Sequence, residues 1–286
     1  MKEVTRKLPS NASFRHFKGK GQNAHFYHAN GFPLGMYDPL LMRLSEKYQL
    51  SALEFRAVWP DIGQPTRNND WQDHADDLIT FVEHHYHSPI IGIGHSMGAS
   101  CTILAAAKRP DLFSKLVLIE PATISVVLCM LIRLLPNSIL KNIVPVKTAL
   151  KKRDYWRNRN SYLAYCKKFY GYKRFSEETL QAMARYGVIE TDDGQVQLAF
   201  PKVWEAHNYT KPVNVFRSIK RLKIPCVVIC GKPSTFFTKT MRRDWQVLCP
   251  HTIFKETEAY GHLLPLENPA ACFDLIDEGV SEADRQ

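Results

Sequence analysis

The sequence lacks long apolar runs and paired cysteines. Its longest apolar stretch, residues 124–135, is too short to span a bilayer and contains Arg133. The start of the chain is polar and charged, without the apolar run of a signal peptide. The seven cysteines are scattered, odd in number and without C-x-x-C spacing. This pattern favours reduced thiols over a disulfide framework, so we expect a cytoplasmic protein.

Metal-ligand spacing is also missing. The histidine-rich segment 83–87 lies at the polar end of a predicted helix, where a solvated helix end is the simpler interpretation. We therefore expect no metal and no other cofactor. With 286 residues, 45% of them hydrophobic and 23% charged, the chain has the size and composition of one large globular domain, or of one domain with an insertion.

Short apolar runs alternate with helical patterns through the first 120 residues. The predicted strands are 24–29, 50–55, 90–94 and 115–120, and the predicted helices are 36–48, 73–87 and 97–109. Strands that alternate with helices in this way are typical of a parallel sheet with helices on both faces. The expected fold class is therefore α/β, with a mostly parallel sheet.

The alternation stops for about a hundred residues and then resumes. Residues 123–218 have helical patterns, many aromatic residues and no convincing pair of strands. Later strands are predicted at 224–230 and 251–257, and later helices at 238–248 and 268–278, with Gly279 ending the last one. We therefore expect a core domain of residues 1–122 and 219–286, interrupted by a helical cap of residues 123–218.

Ser96 lies in a G-x-S-x-G motif, GHSMG (94–98), between a predicted strand and a predicted helix. A serine on a sharp strand-to-helix turn is strained, and flanking glycines let such a turn close. The N–H of Met97 would then point from the helix N-terminus toward a developing oxyanion. The alternative is a glycine-rich turn with an incidental serine.

Two further motifs accompany the turn at Ser96, which we call the elbow. They are HANGFP (28–33) and YGHLLPLENP (260–269). With these three motifs, from about residue 24 to residue 277, the chain resembles the α/β-hydrolases. The resemblance implies a nucleophile at Ser96, a base at His262, a bracing role for His28 and an inward-pointing His95. A surface loop histidine is the alternative for His262.

The resemblance also implies an oxyanion hole. One donor is the Met97 N–H, and the other is an N–H near Asn30 or Phe32, between which the sequence does not choose. Asn30 is similar to an asparagine that haloalkane dehalogenases use in this loop, so its side chain could line the pocket. A turn-forming Asn-Gly pair would give the same sequence.

The usual acid of the triad is missing. Ser234 and Thr235 stand where α/β-hydrolases generally have an aspartate, and Asp244 is too far along the next helix. Some haloalkane dehalogenases place their acid after the strand that follows the nucleophile, and Glu120 occupies that position here. Glu120 therefore either orients His262 or bonds backbone amides at the entry to the cap. Dehalogenase and epoxide hydrolase reactions are excluded, because they need a carboxylate nucleophile.

The net positive charge of the chain is concentrated in the predicted cap. Residues 133–174 contain twelve lysines and arginines and a single acid, Asp154. Beside an apolar segment, this cluster suits an anionic membrane, an acidic carrier protein or an acyl-coenzyme A. A solvated basic surface is the plain alternative. Nucleic acid is disfavoured, because no nucleic-acid fold motif is present.

These features favour a serine hydrolase for small-molecule acyl substrates, acting on carboxylic esters or thioesters of medium or long chains. The apolar part of the cap would line the acyl pocket. Two alternatives remain open. One is a non-hydrolytic lyase that uses the serine as a proton relay, and the other is a ligand-binding or interaction protein that has lost catalysis.

Overall fold

In the computed structural model, residues 8, 10–232, 234 and 237–286 are described. Within them, the strands, numbered in chain order, are β1 Phe14–Phe17, β2 Asn23–Tyr27, β3 Gln49–Leu53, β4 Ile90–His95, β5 Phe113–Ile119, β6 Tyr155–Trp156, β7 Val188–Glu190, β8 Val196–Leu198, β9 Cys226–Gly231 and β10 Thr252–Thr257. The main sheet has the order β1-β3-β2-β4-β5-β9-β10. Strand β1 is antiparallel to β3, and the other neighbouring pairs are parallel. The mostly parallel α/β sheet predicted from the sequence is confirmed.

Helices cover the sheet and build the inserted segment. The α-helices are α1 Asp38–Lys47, α2 Trp71–His85, α3 Met97–Lys108, α4 Val126–Leu134, α5 Asn137–Leu140, α6 Val146–Leu150, α7 Arg159–Cys166, α8 Glu177–Tyr186, α9 Lys202–Thr210, α10 Phe216–Ile219, α11 Lys239–Leu248, α12 Leu264–Glu267 and α13 Pro269–Ala283. Short 3₁₀ helices lie at Leu34–Tyr37, Arg56–Val58, Pro110–Leu112 and Tyr170–Tyr172. No helix of the described ranges combines the length and apolarity needed to cross a membrane.

Both faces of the sheet are buried. Along β5, Val117 and Ile119 face a core shared with α1 and α13, whereas Leu116 and Leu118 face a core shared with α2 and α3. This alternation follows from the two-residue period of a strand. Because helices cover both sides, the strands are apolar on both faces, which is why they appear as short continuous apolar runs in the sequence.

Residues 123–218 contain three strands that the sequence analysis did not predict. Strands β6, β8 and β7 form a small antiparallel sheet. The expectation of a purely helical insertion was therefore wrong. These strands have only two or three residues each, too few for a period-two pattern to stand out. Strand β1 was missed for a similar reason, since it is a four-residue strand at the sheet edge.

The last helix was predicted to end at Gly279, and this was wrong as well. Helix α13 continues to Ala283, with Gly279 buried inside it. A Cβ atom on Gly279 would lie 2.5 Å from Cγ1 of Val227 on β9. Glycine is therefore required at this position for close packing of the helix on the sheet.

Three buried histidines make the folded state sensitive to acid. Burial lowers the pKa of His25, His74 and His95 from 6.5 to about 3 in each case. Below pH 6.5 the unfolded chain binds protons at these sites and the folded protein does not. We therefore expect the free energy of unfolding to fall as pH drops from 6.5 toward 3, by up to about 1.4 kcal/mol per pH unit for each histidine.

Urea unfolding at pH 7.5 and pH 5.5 tests this expectation. The transition midpoint should move to lower urea at pH 5.5, with an unchanged slope. Equal midpoints at the two pH values would contradict the assignment of these histidines as neutral in the folded protein.

Candidate active site

Ser96 is held on a strained turn between β4 and α3. Its backbone has φ 54° and ψ −118°, which non-glycine residues rarely adopt. A Cβ on Gly94 would lie 2.6 Å from backbone atoms of Ala99, and one on Gly98 would lie 2.2 Å from the carbonyl oxygen of Tyr27. Both glycines are therefore needed for the turn to close against its neighbours.

The structure brings Ser96, His262 and Glu120 together. His262 lies in the loop between β10 and α12, and its Nε2 is 3.0 Å from Oγ of Ser96. Its other nitrogen, Nδ1, is 3.1 Å from Oε2 of Glu120. Both distances are hydrogen-bond lengths. This order of hydroxyl, imidazole and carboxylate suits proton removal from the serine and stabilisation of the charged imidazole.

Glu120 follows β5 directly and has no exposed surface. Its backbone is also strained, with φ 47°. Oε1 accepts a 2.6 Å hydrogen bond from the N–H of Gly231, and Oε2 accepts bonds from Ser234 and His262. The carboxylate therefore reaches an amide at the end of β9, outside the inserted residues 123–218. A buried carboxylate held by three donors satisfies its hydrogen-bonding needs.

Ser234 does not replace the acid but donates to it. Its hydroxyl donates to Oε2 of Glu120 at 2.5 Å, and its own Oγ accepts the N–H of Phe237 at 3.0 Å. Thr235, the other residue at the usual acid position, lies outside the described residues. Ser234 therefore helps to hold the carboxylate that contacts His262, a role that the sequence analysis missed.

Of the oxyanion-hole candidates, Met97 is the first residue of α3, so its N–H has no acceptor within the helix. Phe32 lines a cavity beside Leu263, the neighbour of His262. Its N–H makes a long 3.4 Å contact with the carbonyl oxygen of Ala29, which closes a turn. The choice between Asn30 and Phe32 as the second donor stays a prediction.

The side chain of Asn30 joins the core to the inserted segment. It donates to the carbonyl oxygen of Glu205 (3.0 Å) and accepts from Nδ2 of Asn208 (2.9 Å), both on α9. Asn30 is not among the residues that line the cavity. Both ends of the amide are therefore bonded to α9, and the suggestion that its side chain lines the pocket stays a prediction. Its neighbour Gly31, at φ 81°, packs against the Glu205 carboxylate.

His28 and His95 both lie inside the fold, as the sequence analysis expected. Nε2 of His28 accepts the N–H of Phe55 at 2.9 Å, and Nδ1 lies 3.0 Å from the carbonyl oxygen of Ala29. Because this carbonyl can only accept, Nδ1 carries the proton. His28 therefore braces the loop that contains Asn30 and Phe32.

His95 connects that loop to the backbone of His262. The Ala29 N–H donates to Oη of Tyr37 at 3.3 Å, which lies 2.8 Å from Nδ1 of His95. Nε2 of His95 lies 2.8 Å from the carbonyl oxygen of His262. Burial lowers the pKa of His95 to about 3, so the ring is neutral and its one N–H must face that carbonyl. Nδ1 then accepts from Tyr37. No short motif in the sequence signals this connection.

We expect Tyr37→Phe to slow turnover because it removes the donor to His95 and leaves a buried ring nitrogen unpaired. Small displacements of a catalytic group are costly, so kcat should fall roughly 10- to 100-fold. Tyr48→Phe is the matched control, since the buried Tyr48 hydroxyl has no hydrogen-bond partner in the described part of the chain. The rate of fluorophosphonate labelling should fall for Tyr37→Phe and not for Tyr48→Phe. Equal rates in both variants would contradict the positioning role.

A cavity of about 510 Å³ lies between the loop of residues 28–33 and the inserted residues 123–218. Gly31, Phe32 and Leu263 form its wall on the core side. The opposite wall is mostly aromatic and apolar, formed by Trp156, Tyr162, Tyr165, Phe169, Met183 and Leu198. This volume and lining suit a small organic ligand with an apolar body. Among the described residues, no three histidine, cysteine or acidic side chains are grouped to hold a metal ion.

Charged side chains interrupt the apolar lining, and two of them, Lys152 and Glu205, form an ion pair. Nζ of Lys152 lies 2.8 Å and 2.6 Å from the two carboxylate oxygens of Glu205. Burial opposes the charge on Lys152, but Glu205 outweighs it and raises the pKa of the lysine. Lys152 therefore stays charged at neutral pH. Glu205 lies against Gly31, so the loop of residues 28–33, helix α9 and the basic residues 133–174 meet at this point.

The chain belongs to the alpha/beta hydrolase family, whose model matches residues 26–275. The fold is also that of E-2-(acetamidomethylene)succinate hydrolase, whose crystal structure superposes with a TM-score of 0.76 at 19% identity and covers 94% of this chain and 95% of that one. The thioesterase domain from the curacin biosynthetic pathway gives a TM-score of 0.71 at 14% identity, with 92% and 93% covered.

Curated relatives are distant. A type I acyl-CoA thioesterase of Penicillium brevicompactum is 33% identical over 109 residues, which is 33% of this chain and 25% of that protein. The 2-(acetamidomethylene)succinate hydrolase of Mesorhizobium japonicum is 31% identical over 103 residues, covering 36% of this chain and 37% of the relative. The matches thus span only 25% and 37% of the length of these two relatives. An uncharacterized hydrolase of Bacillus subtilis is 24% identical over 292 residues, 95% of this chain and 93% of that one.

Proposed function

We propose that this protein is a serine hydrolase that cleaves carboxylic esters or thioesters through an acyl-enzyme on Ser96. The observation that carries the proposal is the chain of contacts from Ser96 Oγ to His262 Nε2 (3.0 Å) and from His262 Nδ1 to Glu120 (3.1 Å). A serine hydroxyl is a poor nucleophile until a base takes its proton, and this arrangement supplies the base and its counter-charge.

In the first half of the reaction, Ser96 Oγ attacks the acyl carbonyl carbon while His262 Nε2 takes the hydroxyl proton. Glu120 stabilises the imidazolium that forms. The Met97 N–H and an N–H of the Asn30–Phe32 loop hold the oxyanion. His262 then gives its proton to the alcohol or thiol that leaves. In the second half, His262 activates a water molecule, which releases the acid and restores the Ser96 hydroxyl.

Medium or long acyl chains are the proposed substrates. The support is the cavity of about 510 Å³ with its aromatic and apolar wall, next to Phe32 and Leu263. One of the relatives is an acyl-CoA thioesterase, which is in keeping with an acyl substrate. On this proposal, residues 123–218 form a cap over a core of residues 1–122 and 219–286. A cytoplasmic location stays a prediction from the sequence.

A series of p-nitrophenyl esters and acyl-CoA thioesters of increasing chain length tests the substrate class. Activity should rise from acetyl toward longer acyl chains. A maximum at acetyl would contradict the proposed preference for medium or long chains. Leu198→Phe, which narrows the cavity, should shift the preference toward shorter chains by about tenfold. Ile189→Phe is the control, because Ile189 lies on the neighbouring strand β7, is exposed and does not line the cavity.

A further inference from the structure

Large apolar side chains are exposed along one stretch of the inserted segment. Helix α4 has nine residues, of which only Cys129 is buried. Leu134 is 80% exposed and Val127 is 67% exposed. We define the apolar surface by the exposed apolar residues of this stretch, Val126, Val127, Leu128, Met130, Leu131, Leu134, Ile139, Ile143 and Val144. Scattered exposed apolar residues are common, but so many in nineteen consecutive positions mark an interaction site.

The charged residues within this stretch of the chain have one sign. Residues 121–153 contain no aspartate or glutamate, and their basic residues are Arg133, Lys141, Lys147, Lys151, Lys152 and Arg153. Arg133 is paired with Asp70, and Lys152 is paired with Glu205. Lys141, Lys147 and Lys151 are exposed, and none of the three has an ion-pair partner among the residues that the structure describes. Along the chain, the apolar surface therefore contains and is followed by exposed positive charge.

We propose that the apolar surface docks on a phospholipid bilayer that carries anionic headgroups. The leucines and valines of α4 would enter the boundary between headgroups and acyl chains, while Lys141, Lys147 and Lys151 would bind anionic headgroups. With nine residues, α4 is too short to cross a bilayer, so it lies in the interface.

This position also connects the surface to the cavity. The stretch that carries the apolar surface continues into α6, and Thr148 and Lys151 line the cavity. Membrane docking goes beyond the proposed hydrolysis and does not depend on it. It would concentrate the protein where acyl-chain substrates partition, and it can be measured on a variant without the nucleophile.

Co-sedimentation of Ser96→Ala with vesicles tests the proposal separately from any lipid hydrolysis. Vesicles of equimolar phosphatidylcholine and phosphatidylglycerol should bind the protein at least about tenfold more tightly than pure phosphatidylcholine, and added salt should weaken the binding. Adding Leu131→Ser and Leu134→Ser should reduce vesicle binding at least about tenfold. The double substitution Lys141→Glu and Lys147→Glu should reduce binding to the anionic vesicles and leave binding to pure phosphatidylcholine unchanged.

Helix α11 offers matched controls. Val247 is 77% exposed there, and Arg243 is an exposed basic residue on the same helix. Val247→Ser and Arg243→Glu should leave vesicle binding unchanged. The proposal is overturned if anionic vesicles do not bind, or if the leucine pair has no more effect than Val247→Ser. It is also overturned if light scattering shows a dimer that the leucine pair dissociates, because a second copy would then cover the surface. Binding only to an acidic carrier protein would overturn it too.

Discussion

A fluorophosphonate is expected to add once to the wild-type protein and not at all to Ser96→Ala. The reason is the 3.0 Å contact between Ser96 Oγ and His262 Nε2, which allows the histidine to take the hydroxyl proton during attack. With an ester substrate, we expect Ser96→Ala to lower kcat/KM by about ten-thousand-fold or more. Intact-mass analysis after brief exposure reads out the adduct directly.

Ser114→Ala is the matched control, since Ser114 lies near the start of β5, at the opposite end of that strand from Glu120. It should react like the wild type. Rapid quenching with a slow ester should also trap an acyl group on Ser96. An adduct without a trapped acyl group would favour the lyase alternative. If the wild-type protein formed no adduct, the proposed hydrolysis would be contradicted. A ligand-binding or interaction protein that has lost catalysis would then be favoured.

Glu120→Gln is expected to lower kcat by about a thousand- to ten-thousand-fold with little loss of stability. The amide oxygen can keep the bond from the Gly231 N–H, because glutamine has the shape of glutamate. The amide nitrogen, however, would face Nδ1 of His262. Both groups are hydrogen-bond donors, so no hydrogen bond could form between them. The histidine would lose both its orientation and the charge that stabilises its protonated form.

The Ser234 hydroxyl makes a sharper test possible. Ser234→Ala removes one of three donors to the carboxylate, so its effect on kcat should be far smaller than that of Glu120→Gln. Ser234→Asp combined with Glu120→Gln places the acid where most α/β-hydrolases have it, and we expect partial recovery of kcat. If Glu120→Gln alone kept kcat within about threefold of the wild type, the carboxylate would not be the acid that orients His262.

The elements that could be predicted from the sequence have local signals. The apolar runs that became β4, β5 and β9 are continuous because both sheet faces are buried. Helix α2 has apolar residues at turn spacing, and helix α3 is rich in alanine. The elbow at Ser96 depends on two glycines within two residues of it, so its strained turn was also predictable. Strands β6, β7 and β8 were not, because their pairing joins short segments across the inserted stretch.

By itself, the sequence determined the α/β architecture, the turn at Ser96 and the histidine that follows the last strand, since each depends on residue types a few positions apart. Only the tertiary structure decided how Glu120 is used. It lies 142 residues from His262 and 111 from Gly231, and they meet because β5 and β9 are neighbours in the sheet. The bonds of Asn30 to α9 have the same origin, across 175 residues. Contacts of this kind depend on strand order and helix packing, which no spacing along the chain encodes.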